Sequence, residues 1–160
     1  MSLESVQAFF AEKAPDVEVL VTEASTATVA LAAAAHGVEP GQIAKTLSLI
    51  LDERPILIVT RGDARLDNRK YRARFGAKAK MLDAEAALAA TSHPVGGICP
   101  FGLPEGVTVY CDVSLKAFAE VVPAAGAVNA AVRIGTGRMA ELVGAEWVDV
   151  CQEPPQEPPA

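Results

Sequence analysis

The sequence predicts an α+β domain (mixed α/β) built on a largely antiparallel or mixed sheet, and three observations carry that expectation. Two apolar, branched runs, 46–51 and 55–60, are separated by Asp52-Glu53-Arg54, the spacing of an antiparallel hairpin. Short helical segments elsewhere are bracketed by residues that start and stop helices. The elements do not alternate strand, helix, strand along the chain, which argues against a doubly wound parallel sheet.

Taken in order, Ser2 is a candidate N-cap for a first helix, with Leu3, Val6, Phe9 and Phe10 at helical spacing and Pro15 near its end. The run 17–22, VEVLVT, reads as a strand. A second helix starts around Thr26 or Thr28, runs through the alanines to His36 and stops at Gly37, which accepts the left-handed conformation of a helix terminator. After the hairpin, Asp67 caps a helix reaching Phe75, with Gly76 as terminator, and Asp83 caps another running to Ala90. Residues 91–106 are too crowded with glycine and proline for regular structure. Then follow a strand at 107–112, a short helix at 114–120, and two strands within 121–134 broken at Ala125-Gly126. A last helix at 137–143 and a last strand at 147–150 complete one domain over 1–151, with a disordered proline-rich tail expected at 152–160.

Composition narrows the function. Of 160 residues, 51% are hydrophobic but only 5% aromatic, and thirty are alanine, so the core relies on closely approaching backbones rather than aromatic anchors. No apolar run approaches the roughly 20 residues that cross a bilayer, and the acidic, amphipathic start lacks a signal-peptide pattern, so no membrane partner and a cytoplasmic location are expected. Cys99, Cys111 and Cys151 are an odd number without C-x-x-C spacing, which points to free thiols rather than disulfides or a zinc site. His36 and His93 have no evident third ligand, and the P-loop, dinucleotide and G-x-S-x-G signatures are missing; no metal and no cofactor are expected. The net charge of −6 conceals an asymmetry. Residues 61–80 hold eight of the fourteen basic residues against Asp63 and Asp67, so that stretch carries +6 and the remainder −12. It is either a polyanion-binding face, led by Arg61, Arg65, Arg69 and Lys70, or a solvated helix face.

Two features carry possible chemistry. Lys45, between the alanine-rich helix and an apolar strand, must either escape to solvent or sit at a site. In the run Gly96 to Gly102, GGICPFG, the paired glycines either let main-chain N–H groups face an anion or oxyanion, or serve a tight crossover by shape alone. Cys99 reads as an inert thiol more readily than as a nucleophile, and Asp112 as a cap more readily than as a catalytic acid.

The succession GVEPGQIAKTLSLI, RGDARLDNRK before FGAKAKML, HPVGGICPFGLP, VYCDVSLK and VVPAAGAVNA resembles the YbaK/EbsC family of prolyl-tRNA synthetase-associated editing domains, in order from about Thr26 to Val150. The resemblance implies a curved mixed sheet, partly barrel-like and surrounded by helices. It also implies a trans-acting aminoacyl-tRNA deacylase, a hydrolase of the ester of mischarged tRNA. In that family the lysine matching Lys45 is essential and the glycine matching Gly96 lies at the scissile ester. Ala131 stands where the cysteine-specific branch has aspartate, and Thr46 where the alanine-specific branch has asparagine, which implies a further branch acting on alanine or a similarly small residue. Prolyl-tRNA synthetase and the acceptor end of a mischarged tRNA are then the implied partners.

An aminoacyl ester is already reactive, so positioned water and oxyanion stabilisation suffice. The expected machinery is Gly96 and Gly97 N–H groups as oxyanion hole and Lys45 as anchor for the terminal phosphate or ribose. Thr26, Ile98, Cys99, Pro100, Phe101, Ala124 and Ala125 are expected to shape a small pocket that excludes proline. The competing expectation is a non-catalytic tRNA- or synthetase-binding module of the same fold.

Overall fold

In the computed structural model, which describes residues 2–152, the chain forms five α-helices and eight strands, α1 Ser2–Lys13, β1 Leu20–Val21, α2 Val29–His36, β2 Ile43–Leu51, β3 Arg54–Arg61, α3 Asn68–Phe75 and α4 Ala84–Thr91 in the first part. The second part holds β4 Thr108–Asp112, β5 Glu120–Pro123, β6 Ala130–Ala131, β7 Ile134–Gly135, α5 Thr136–Leu142 and β8 Glu146–Val148. Of the tail expected at 152–160, Gln152 is held by its N–H, which donates to the Arg65 carbonyl at 2.8 Å, and 153–160 lie outside the described residues.

Capping chemistry sets the helix limits where the sequence places them. Thr28 accepts from the Leu31 N–H and Gly37 closes α2 at φ +65. Asp67 accepts from Lys70 and Gly76 terminates α3, while Asp83 caps α4 by accepting from Ala86. Ser2 departs from its expected role: its hydroxyl reaches the Gly126 carbonyl and lies 2.6 Å from His93 Nδ1, tying the start of α1 to two distant loops. The segment 113–117 is a 3-10 turn rather than an α-helix, begun by Asp112, whose carboxylate accepts from Ser114 and from Val150. The expected catalytic alternative for Asp112 therefore gives way to capping.

The main sheet has the order β7-β5-β2-β3-β4-β8 and curls into a half barrel. The β2–β3 hairpin is antiparallel, with Asp52 and Glu53 at positive φ in its turn, whereas β2–β5, β3–β4 and β4–β8 are parallel. Residues 43–45 join β2, so Lys45 stands within a strand rather than before one. One face of the sheet packs on Val6 and Phe10 of α1 together with Phe101, which stacks against both Phe9 and Phe10. The opposite face packs Leu49, Ile56 and Ile58 on Tyr71 of α3. Short β1 and β6 pair separately and, with α2, close the remaining side near β5.

Candidate active site

A cleft of about 310 Å³ opens at the edge of β2. Strand β5 accompanies β2 only at Ile43 and Ala44 and then turns away, because Ala124 bridges Ala131 instead. Farther along, the Ile50 N–H donates to the Lys80 carbonyl at 3.0 Å and the Leu82 N–H to the Ser48 carbonyl at 3.0 Å, so residues 80–82 cover that part of the edge. Between these two coverings no described residue pairs with the edge, and consecutive residues Ile43 to Thr46 line the cavity with Ser48. Val29 and Ala32 of α2 and its cap Thr28 line it from one element, and Val122, Ala124, Ala130 and Ala131 line it from β5, β6 and the residue after β5. The mouth carries Met81 and Val95, which are 52% and 60% exposed.

Lys45 belongs to this cleft, half-buried, and its ammonium donates to the Ala64 carbonyl. That bond orients one of three donor hydrogens and leaves two to spend. Burial holds the Lys45 pKa below its usual value, an effect opposed by Cys151 and Asp63 and reinforced by Arg65. The cation thus lies where the cleft meets the start of the basic stretch.

Gly96 also lines the cleft. It occupies the third position of a turn in which the Gly97 N–H donates to the Pro94 carbonyl at 2.9 Å, and its φ of +91 is one that glycine adopts freely. A Cβ there would lie 2.8 Å from that of Ala27. The Gly96 N–H bonds no other described residue. Gly97 differs from expectation: its N–H is consumed by the turn and its carbonyl accepts from Gly126, so it cannot serve as the second oxyanion donor in this arrangement. A Cβ at Gly97 would stand 2.6 Å from the Ala127 nitrogen, which makes this glycine a packing requirement.

The sequence profile of the aminoacyl-tRNA editing domain matches residues 23–142. The chain belongs to that family. The editing domain is 43% identical over 155 residues to the uncharacterized protein YwhH of Bacillus subtilis, a match that covers 96% of this chain and 99% of YwhH. It is also 32% identical over 120 residues to the proline–tRNA ligase of Geobacter sp. (strain M21), covering 74% of this chain and 21% of the ligase. Among solved structures it superimposes, at a TM-score of 0.87 and 28% identity over 94% of this chain and 97% of the other, on one described as a "putative trans-editing enzyme for prolyl tRNA synthetase". The hypothetical protein APE2540 aligns at a TM-score of 0.85 and 28% identity over 92% and 99% of the two chains. The YbaK-type family and fold expected from the motifs are thereby shown.

Of the residues expected to shape the pocket, the editing domain brings Thr26, Ile98 and Ala124 to the cleft. Cys99, Pro100, Phe101 and Ala125 do not line it. All four are buried, Cys99, Phe101 and Ala125 in the core that also holds Val6 and Phe10 of α1, because apolar side chains gain more from burial than from a solvated wall. His93 Nε2 lies 3.6 Å from Cys99 Sγ, a pairing the sequence does not reveal. Both side chains are 0% exposed, burial pushes the thiol up to about 12 and lowers the imidazole, and the His93 Nε2–H donates to the Phe101 carbonyl at 2.8 Å. A neutral, sealed pair of this kind is structural.

The basic stretch also divides. Arg61 forms a two-point pair with Asp63 at 2.6 and 3.1 Å and lies over the Phe118 ring, and Lys70 bonds Asp149 and the Cys151 carbonyl, so these two are tied into the fold. Arg65 and Arg69 are exposed and make no ion pair among the described residues; Lys78 and Lys80 lead from them to Met81 at the cleft mouth. Sequence reasoning missed Ser48, Met81, Leu82 and Val122. The one available signal was Met81-Leu82 itself, an apolar pair set between a basic run and the Asp83 cap.

Proposed function

We propose that the protein hydrolyses, in trans, the ester of tRNA charged with a wrong small amino acid, alanine or one of similar size on proline tRNA. The observation that carries this reading is that Lys45 and Gly96, far apart in sequence, line one small cleft, with the exposed cations Lys78 and Lys80 just before its lining residue Met81 in the chain. Membership of the editing-domain family and likeness to part of a proline–tRNA ligase and to the trans-editing relative support it.

In the reaction, water oxygen bonds to the ester carbonyl carbon while the carbonyl electron pair moves onto its oxygen. Collapse breaks the bond to ribose, whose oxygen takes one proton of the water, and the free amino acid leaves as a carboxylate with release of the second. The Gly96 N–H stabilises the developing oxyanion, and Lys45 anchors the terminal phosphate or ribose and adds positive charge. Arg65 and Arg69, with Lys78 and Lys80, hold acceptor-stem phosphates. The alanines at 124, 130 and 131 leave room for a methyl-sized side chain. One methylene changes binding in an apolar pocket by only about 1–3 kcal/mol, so a synthetase alone discriminates such residues poorly.

The test is release of free amino acid from proline tRNA charged in turn with alanine, 2-aminobutyrate, serine, cysteine and proline. The expected result is rapid release of the small residues and little of proline. Tight tRNA binding without release of any would replace the enzyme by the non-catalytic tRNA-binding module.

A further inference from the structure

In a strand, the N–H and C=O of one residue leave on the same edge, and successive residues alternate edges. The β2–β3 register runs without a break from Ala44↔Arg61 to Leu51↔Arg54, so the alternation keeps its phase. The Ser48 carbonyl and the Ile50 N–H face away from β3, where they bond Leu82 and Lys80. Thr46, two residues before Ser48, therefore presents its own N–H and C=O to that outer edge. There β5 has already left, its last pairing being Ala44↔Pro123, and residues 80–82 have not begun. Neither Thr46 main-chain group bonds another described residue. Among the described residues nothing pairs with this edge of Thr46, which lines the cleft.

We propose that the aminoacyl group of the substrate occupies this edge, pairing with the Thr46 main chain as a single residue of an added strand; the assignment rests on the deacylase reading above. An α-amino ester carries an ammonium donor and a carbonyl acceptor on either side of one carbon, the arrangement of N–H and C=O in a strand residue. In a hydrogen-bonded antiparallel pair, two residues exchange both bonds. The substrate ammonium accordingly donates to the Thr46 carbonyl, and the Thr46 N–H donates to the ester carbonyl oxygen.

Two observations and one consequence favour this occupant. No acidic side chain lines the cleft among the described residues, and its one charged wall residue is Lys45, so the ammonium must find a neutral oxygen. The Gly97 N–H is spent on Pro94, which leaves Gly96 without its neighbour as a second oxyanion donor, and the Thr46 N–H fills that role. Main-chain pairing reads only the frame common to all α-amino esters, which leaves the substrate side chain to the walls.

Two experiments on the full chain test the assignment. Wild-type protein is given tRNA carrying alanyl or propionyl esters, and each rate is divided by that ester's uncatalysed rate. The propionyl group lacks the ammonium, so its enhancement should be at least about tenfold smaller, the loss typical of a charged hydrogen bond. Thr46→Pro is compared with Thr46→Val: proline removes the N–H, and because that N–H does not enter the β2–β3 ladder, edge placement tolerates it. Its kcat/KM should fall about a hundredfold or more below that of Thr46→Val. Equal enhancement of both esters, or a folded Thr46→Pro within threefold of Thr46→Val, would overturn the pairing while leaving the deacylase reading intact. Failure to hydrolyse the alanyl ester at all would overturn both. Should Thr46→Pro not fold, by circular dichroism, the two-ester comparison decides alone.

Discussion

Replacing Lys45 by methionine keeps the stem of the side chain and removes its charge, which isolates the electrostatic contribution to the proposed reaction. At about 4 Å and an effective dielectric near 20, a unit charge interacts with an ammonium by about 4 kcal/mol. Half-burial of Lys45 leaves some of that screened by water, and loss of one preorganised stabiliser typically costs a hundred- to a thousandfold in rate. The effect on stability should be smaller. The Ala64 carbonyl loses its donor, which costs about 1–3 kcal/mol if the carbonyl stays dry, but the fold is also relieved of a half-buried cation. The expected outcome of Lys45→Met is therefore a fall in single-turnover release of alanine from alanyl-tRNA of a hundredfold or more, with the thermal midpoint changed by only a few degrees. Because burial lowers the Lys45 pKa, the charge needed for catalysis is lost as pH rises through a value below 10.5, and the wild-type rate, corrected for spontaneous hydrolysis, should bend downward there while the Lys45→Met rate does not. A folded Lys45→Met within threefold of wild type would refute the role given to this cation.

Cys99→Ala should retain deacylation within threefold, measured with the same labelled substrate, since a sealed thiol pushed up to about 12 supplies no thiolate; loss of activity with an unchanged melting curve would reinstate it as a participant. Gly97→Ala should destabilise the fold by about 1–3 kcal/mol in urea titration, because its Cβ meets Ala127 nitrogen at 2.6 Å and backbone must move. Arg65→Glu and Arg69→Glu should each weaken tRNA binding and lower the slope of log affinity against log salt by about 1, whereas Arg61→Gln, already paired to Asp63, should change the slope less. His93 is buried and held below its usual pKa, so the folded state resists its protonation. Stability from this group is complete above the unfolded pKa of about 6.5 and is lost as pH falls below it, a decline that His93→Gln should flatten in pH-dependent unfolding.

The parts of the fold readable in the sequence were those fixed by local chemistry. Thr28 with Gly37, Asp67 with Gly76, and Asp83 each mark a helix end whose unpaired amides need an acceptor or whose chain needs a left-handed residue. The hairpin was equally local. Of the site, the sequence pointed to Lys45, Gly96, Thr26, Ile98 and Ala124, all of which line the cleft, but not to its other walls, because which strand stands beside β2 is decided by pairings distant in sequence, Ile43↔Val122 and Leu49↔Met81. Nothing near Lys70 in sequence announces Asp149, so its capture by the fold was invisible, and nothing in GGICPFG distinguishes Gly96 and Ile98, which line the cleft, from those that turn inward.

The excess of alanine, which the composition records without explaining, acquires a local reason at the cleft. A parallel strand beside β2 would normally extend the ladder and close the edge. Here β5 is drawn off after Pro123 by the Ala124–Ala131 bridge, and the space it vacates is bounded by Ala32, Ala44, Ala124, Ala130 and Ala131. Each of these is a methyl group against a cavity of about 310 Å³. Larger residues on the same backbone would refill the gap that the departing strand creates, and overpacking a wall costs about 1–3 kcal/mol when neighbours cannot yield. Ala131→Val therefore tests the origin of the site as well as its size. It adds two methyl groups at a position 2% exposed, so it should raise KM for 2-aminobutyryl-tRNA more than for alanyl-tRNA while the unfolding midpoint shifts modestly. An equal rise for both esters would mean that the side chain of the substrate does not reach this residue.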